Sequence, residues 1–112
     1  MAKFDEAKVR ADFGKAVNMS ASELKRWLTT DESKRVGFRK EGATESVGHA
    51  SGRRIIKLLS KAEDELSADD YAHMRKVVGY VKRHGAQRPE NIYTSRWRYS
   101  LMNWGHDPTK EA

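Results

Sequence analysis

Residues 46–85 constrain the fold of this chain most, because two helical patterns follow one another there with a single interruption. Apolar side chains recur at helical spacing over 47–62 and again over 71–81. Between the two patterns, Ser67 followed by Asp70 has the spacing of a helix N-cap. Amphipathic helices joined by a short turn bury their apolar faces against each other, so the segment predicts an antiparallel helical hairpin.

Two glycines, Gly48 and Gly52, share the apolar face of the first hairpin helix with Ile55. Glycine inside a helix costs about 1 kcal/mol relative to alanine, so its presence there favours a close approach of another backbone. The alternative is that the helix begins only at Ser51 and that both glycines belong to a loop.

Further helices are predicted on both sides of the hairpin. Apolar residues from Phe4 onward predict a first helix over about 4–17, and a capping box at Ser20 and Glu23 opens a short second helix. The last helix begins at Thr94 or Ser95. The three tryptophans are interpreted as core residues that join these helices rather than as surfaces for base stacking.

These elements predict a single all-α domain over 1–112, with four to five helices around the central antiparallel hairpin. Residues 31–45 have no sustained period and are predicted as a loop, and residues 106–112 as a tail. No apolar run has the roughly 20 residues of a membrane span, and no signal-peptide core or cysteine is present. We therefore expect a cytoplasmic protein without membrane contact and without a cofactor.

Charge is distributed unevenly along the chain, whose formal net charge is +6. Residues 63–73 hold five acidic side chains and no lysine or arginine, whereas residues 74–98 hold seven cations and one acid. A basic body with one acidic end orients in the field of a polyanion, and nucleic acid is the commonest partner of that kind.

The second hairpin helix has a predicted basic face that surrounds two small residues. On a helical projection its four cations share one arc with the small residues: Arg75, Lys76, Lys82 and Arg83 around Ala72 and Gly79. Such an arc suits close contact with a phosphate backbone. The alternative is an ordinary solvated face.

The predicted loop holds a second group of cations with an aromatic residue among them. The group consists of Lys34, Arg35, Arg39 and Lys40, with Phe38 between them. Cations interleaved with an aromatic ring are typical of segments that contact single-stranded nucleic acid. A solvated loop whose Phe38 is buried in the core is an equal alternative.

Catalytic motifs are not found. The four histidines, at 49, 73, 84 and 106, do not have the spacing of a metal site. Residues 48–52 read G-x-x-S-G rather than the G-x-S-x-G of a nucleophile elbow. The sequence therefore predicts a protein that is not an enzyme.

Four segments in order, VNMSASELKRWL, ESVGHASGRRI, MRKVVGYVKRH and WRYSLMNWGHDP, resemble a family of small bacterial domains of unknown function. The resemblance covers residues 16–110, and members of that family are sometimes labelled DNA-binding proteins. Its distinctive motifs, G-H-x-S-G-R-R and W-G-H-D-P, draw attention to six polar residues: His49, Ser51, Arg53, Arg54, His106 and Asp107. They are interpreted either as a small polar site or as a buried network that ties the C-terminal turn to the hairpin.

Together these features predict a non-enzymatic accessory protein that binds nucleic acid, DNA foremost, through phosphates with little sequence specificity. The alternatives are a protein–protein interaction module, which would use the acidic turn or the loop, and a structural homo-oligomer without nucleic-acid binding.

Overall fold

The computed structural model describes residues 5–110, which form six α-helices, two short 3-10 turns and no strand. The helices are α1 (Glu6–Ala16), α2 (Ala21–Trp27), α3 (Asp31–Arg35), α4 (Val47–Leu59), α5 (Ala68–Gly85) and α6 (Arg96–Asn103). The all-α class is confirmed. Phe4, which was predicted to lie in the first helix, falls outside the described residues. Between residues 5 and 110, no helix is long and apolar enough to cross a membrane.

Side-chain caps explain where the helices begin. Before each α-helix, a side-chain oxygen accepts a hydrogen bond from a backbone N–H in the first turn: Asp5, Ser20, Thr30, Ser46, Ser67 and Ser95. Each such cap contributes about 0.5–2 kcal/mol. The capping box predicted at Ser20 and the N-cap predicted at Ser67 are confirmed, and Ser95 rather than Thr94 caps the last helix.

The two hairpin helices, α4 and α5, run antiparallel but make their closest packings with other helices. Ser51 pairs with His73 and Arg54 with Asp70, so the pairs run in opposite directions along the two helices. The backbone of α5 packs most extensively on α1, and that of α4 on α2. The antiparallel course is as predicted, but the prediction that α4 and α5 bury their apolar faces chiefly against each other is wrong, because α1 and α2 pack on those helices instead.

The predicted close approach at the α4 glycines is confirmed, and the loop alternative is wrong. Gly48 and Gly52 lie within α4 and are buried. A Cβ atom built on Gly52 would lie 2.6 Å from the backbone oxygen of Asn103 and 2.7 Å from Leu28 Cδ2. One built on Gly48 would lie 2.9 Å from Trp104 Nε1. The glycines therefore let α6 and the end of α2 pack directly against the α4 backbone.

The prediction of one loop over 31–45 is wrong for its first five residues, which form α3. Thr30 Oγ1 accepts from the backbone N–H of Ser33 at 3.1 Å, and Ser33 is buried. Five residues are too few to show a helical period, so the sequence pattern did not reveal this helix. The helix count is therefore six within residues 5–110 instead of four to five.

The C-terminal segment predicted as a tail is packed against the body as far as residue 108. Gly105 has a φ of +80°, a conformation that favours glycine, and it turns the chain back towards α1. His106 Nδ1 lies 2.7 Å from the backbone oxygen of Ala16, and Arg98 Nε donates to Asp107 at 3.1 Å. Residues 106–108 are buried, whereas the last two residues of the predicted tail lie outside the described part.

Candidate functional site

Four aromatic rings lie in succession between α5 and the end of α6. The centroid distances are 6.2 Å from His73 to Trp104, 4.4 Å from Trp104 to Tyr80 and 5.0 Å from Tyr80 to His84. Each pair is within 20° of parallel. His73, Tyr80 and His84 occupy one face of α5, and their spacing is a signal of this stack that sequence analysis missed.

Two adjacent clefts lie beside this stack. The first, which we call the Trp104 cleft, has a volume of about 230 Å³ and is bordered by Gly37, Phe38, Val47, Gly48, Lys76, Tyr80, Arg83, Ser100, Asn103 and Trp104. The second, the His73 cleft, has a volume of about 300 Å³ and is bordered by Lys40, Ala43, Glu45, Ser46, Val47, Ala50, Ser51, Arg54, His73, Lys76 and Trp104. Because Val47, Lys76 and Trp104 border both, the clefts form one continuous concave surface.

The charge of this surface is positive. Lys40, Lys76 and Arg83 border the clefts and have no ion-pair partner among residues 5–110. The one carboxylate on the border, Glu45, accepts two hydrogen bonds from Arg53, at 2.6 and 2.8 Å. Arg53 in the first place, with help from His49, lowers the pKa of Glu45 to about 2. The Glu45 carboxylate therefore stays ionised, and its negative charge is compensated by Arg53.

Phe38 stands at the border of the Trp104 cleft with 72% of its surface exposed, so the alternative of a buried Phe38 is wrong. Its backbone is nevertheless fixed, because its carbonyl oxygen accepts from the N–H of Val47 at 2.8 Å. Gly37 supplies the preceding turn with a φ of +92°. Burying a phenylalanine stabilises a protein by about 1.5–3 kcal/mol, and this ring forgoes that contribution.

The floor of the Trp104 cleft offers one unused hydrogen-bond donor. The indole N–H groups of Trp27 and Trp97 donate to Asn103 Oδ1 at 2.7 Å and to the His84 backbone oxygen at 2.6 Å. Trp104, although only 4% exposed, donates from its indole nitrogen to no acceptor in the described part of the chain. The predicted core position of Trp104 is confirmed, and its polar edge is available at the cleft.

The predicted basic face of α5 is divided, because α1 packs against the helix. Lys76 and Arg83 border the Trp104 cleft. Arg75 and Lys82 border a different cavity, which is lined on its other side by Asp5, the cap of α1, and by Lys8 and Asp12 within α1. The space over Gly79 is taken by the Arg83 guanidinium, which would lie 2.9 Å from a Cβ built there. The four cations therefore do not form one surface around small residues.

The cations of the predicted loop are also separated. Lys40 borders the His73 cleft, whereas Lys34 and Arg35 lie in α3. Arg35 is 3.8 Å from Asp31, and the Arg39 guanidinium donates to the backbone oxygen of Lys34. Eight cations and Gly79 were predicted to bind nucleic acid, and of these the structure brings Lys40, Lys76 and Arg83 to one surface.

The described contacts do not join the six motif residues into one polar network. Two of the residues, His49 and Arg53, share the Glu45 carboxylate. The other described contacts are His49 with Leu28 O, Ser51 with His73, Arg54 with Asp70, His106 with Ala16 O, and Asp107 with Arg98. The two motifs meet through apolar and backbone contacts instead, where Gly48 and Gly52 face Trp104 and Asn103.

Ser51 and His73 form a pair that sequence analysis did not foresee, with Ser51 Oγ 2.9 Å from His73 Nε2. Burial, followed by the charges of Arg54 and Lys76, lowers the pKa of His73 to about 4. A histidine with so low a pKa is a weak general base at neutral pH. No carboxylate of the described residues hydrogen-bonds to His73. In the same residues, no cluster of three or more His, Asp or Glu side chains is arranged to hold a metal ion.

Comparison with known proteins gives one match. A family model described as a protein of unknown function (DUF3140) matches residues 12–102, which include G-H-x-S-G-R-R but end before W-G-H-D-P. Searches of curated proteins and of solved structures returned no match.

Proposed function

Since this chain belongs to the family of proteins of unknown function (DUF3140), we propose its function from its own surface: it binds nucleic acid without acting as an enzyme. The surface used is the pair of clefts around Trp104. Binding is mainly to phosphates, with DNA as the first candidate and with little dependence on sequence.

One observation carries this proposal. Cations without ion-pair partners in residues 5–110 reach the same concave surface from two segments that are distant in the sequence. Lys40 comes from the loop before α4, and Lys76 and Arg83 come from α5. Uncompensated cations around a concave surface attract a polyanion and hold its phosphates.

Low sequence specificity follows from the kind of contact. Contacts with phosphates fix the position of a protein on nucleic acid but carry no information about the bases. Lys40, Lys76 and Arg83 are all exposed side chains. Flexible cations of this kind adapt to the backbone of any sequence, so we expect similar affinities for oligonucleotides of different composition.

The test is a fluorescence anisotropy titration of labelled oligonucleotides at about 50 mM salt. We define the cleft variant as Lys40→Gln, Lys76→Gln and Arg83→Gln. The control variant, Lys25→Gln, Arg26→Gln and Lys57→Gln, removes the same charges from exposed positions that border neither cleft. We expect the cleft variant to bind at least about tenfold more weakly than the wild type, because each lost pair contributes about 1 kcal/mol at the surface.

The control variant should bind nearly as the wild type does. Equal losses in the two variants would show that only net charge matters and that the clefts are not a dedicated site. A wild type that binds no oligonucleotide at low salt would contradict the proposal. That result would favour the second candidate, a protein-interaction module, which the exposed ring of Phe38 also supports.

A further inference from the structure

We infer that the ligand of the Trp104 cleft is single-stranded nucleic acid, with one unpaired base against Phe38 and its neighbouring phosphates at Lys76 and Arg83. This inference rests on the proposed function and specifies its substrate class. It is carried by an exposed ring, an unused donor and cations that border the same cleft.

The size of the cleft suits a small group such as one base. Its volume of about 230 Å³ is below the range of about 300–1,000 Å³ that is usual for cavities enclosing drug-sized ligands. Its walls include the side chains of Phe38, Val47, Tyr80 and Trp104. In a duplex the bases are stacked and paired, so only a single strand, a loop or an end can place a base in such a cleft.

Phe38 is the stacking surface. The ring is 72% exposed, while the bond from Val47 N–H to its carbonyl oxygen holds its backbone at the border of the cleft. A base stacks on an aromatic ring whatever its identity, because every base has a π-face. Stacking of this kind is therefore consistent with the low sequence specificity expected from phosphate contacts.

The Trp104 indole N–H supplies a polar contact at the floor. It has no acceptor among residues 5–110, although the residue is only 4% exposed. A Cβ atom at Gly48 would lie 2.9 Å from this nitrogen, so a larger residue at this position would crowd it. The carbonyl oxygen of a base or an oxygen of a phosphate is a suitable acceptor.

The charges at the border select a polyanion over an apolar peptide. Lys76 and Arg83 border the cleft without an ion-pair partner in the described chain, and the whole protein has a formal net charge of +6. Aromatic side chains within a positively charged groove are the arrangement by which proteins hold single strands without sequence preference.

The experiment compares a labelled oligothymidylate of about 16 nucleotides with a duplex of the same length, a size that can cover a single-strand site. The proteins are the wild type, Phe38→Ala, Phe38→Tyr and the control Tyr93→Ala. Tyr93 is the other strongly exposed aromatic residue of the described chain, and it borders neither cleft. Because both rings are exposed, both alanine variants should fold.

We expect the wild type to bind the single strand about tenfold more tightly than the duplex. Phe38→Ala should weaken single-strand binding by about tenfold and duplex binding by no more than about twofold. Phe38→Tyr should retain single-strand binding, and Tyr93→Ala should resemble the wild type.

Two results would overturn the inference while the proposed function stands. One is duplex binding as tight as single-strand binding, and the other is a Phe38→Ala variant that binds the single strand as the wild type does. Binding of neither form by the wild type would overturn both proposals and would favour a protein partner for the cleft.

Discussion

Individual residues set how closely the helices of this protein approach one another and how they respond to pH. Gly48 and Gly52 were predicted from the sequence because glycine has a cost inside a helix that needs a structural reason. The titration behaviour of His73 could not be predicted, because it depends on burial beside Trp104 and on the charges of Arg54 and Lys76.

Gly52→Ala should destabilise the protein by about 1–3 kcal/mol, although alanine is the better helix former. The added Cβ would meet the Asn103 backbone oxygen at 2.6 Å, and a backbone atom cannot move aside without shifting α6. The matched control is Gly14→Ala in α1, where a Cβ would have nothing within 4 Å. Urea unfolding should show that variant equal to the wild type or up to about 1 kcal/mol more stable. Equal behaviour of the two variants would contradict the close approach.

Acidification should destabilise the protein in the range where His73 is protonated in the unfolded chain but not in the folded one. The folded pKa is lowered from 6.5 to about 4, so the unfolded state binds the proton more readily between these values. The contribution of neutral His73 to the free energy of unfolding is then fully present above about pH 6.5, and it is lost as the pH falls towards 4. The Glu45 carboxylate, whose pKa is lowered from 4.5 to about 2, contributes its own loss only at lower pH.

The measurement is the melting temperature between about pH 7 and pH 5, a range that lies largely between the two pKa values of His73. His73→Gln keeps a polar group near Ser51. The melting temperature of this variant should fall less steeply with decreasing pH than that of the wild type. Some slope should remain, because burial also lowers the pKa of His84. An unchanged slope in His73→Gln would show that this histidine is not the group responsible.

At the scale of helices and turns, local signals were predictable and tertiary contacts were not. The caps at Ser20, Ser67 and Ser95 depend on residues three positions apart, so the sequence indicates them directly. The short helix α3 shows no period, and its place depends on a residue far along the chain, Asn103. That α1 would cover one side of α5 is likewise a property of packing between distant segments.

Asn103 joins three helices and is fully buried, at 0% exposure. Its Oδ1 accepts from Trp27 Nε1 of α2 and from Ser33 Oγ of α3, and its Nδ2 donates to the Ser33 backbone oxygen. Asn103→Leu would remove the hydrogen-bond partner of the Trp27 indole, of the Ser33 hydroxyl and of the Ser33 backbone oxygen. At about 1–3 kcal/mol for each buried group, we expect a loss of at least about 3 kcal/mol in urea unfolding.

The control for Asn103 is Asn91→Leu, because Asn91 is exposed and its side chain hydrogen-bonds only to the nearby N–H of Tyr93 among the described residues. That change should cost no more than about 0.5 kcal/mol. If the two variants lost the same stability, Asn103 would not be the junction between α2, α3 and α6.

For the molecule as a whole, the sequence indicated a basic protein but not which of its cations share one surface. Helical projection grouped Arg75, Lys76, Lys82 and Arg83. Packing of α1 nevertheless places Arg75 and Lys82 in a separate cavity, which one lysine and two carboxylates also border. Lys40, which belongs to a different segment, joins Lys76 beside Trp104. Only the tertiary arrangement shows that cations from the loop and from α5 meet around exposed Phe38 and an unused indole N–H.

The salt dependence of binding tests the central claim most directly, because the slope of log K against log salt counts the phosphates that the protein neutralises. The titration uses the same single-stranded oligonucleotide with the wild type, the cleft variant and the control variant. If Lys40, Lys76 and Arg83 each neutralise one phosphate, the slope of the cleft variant is smaller in magnitude by about 2.1, whereas the control variant keeps the wild-type slope. The account would be contradicted if the cleft variant kept the wild-type slope, or if the slope of the control variant decreased in magnitude by the same amount.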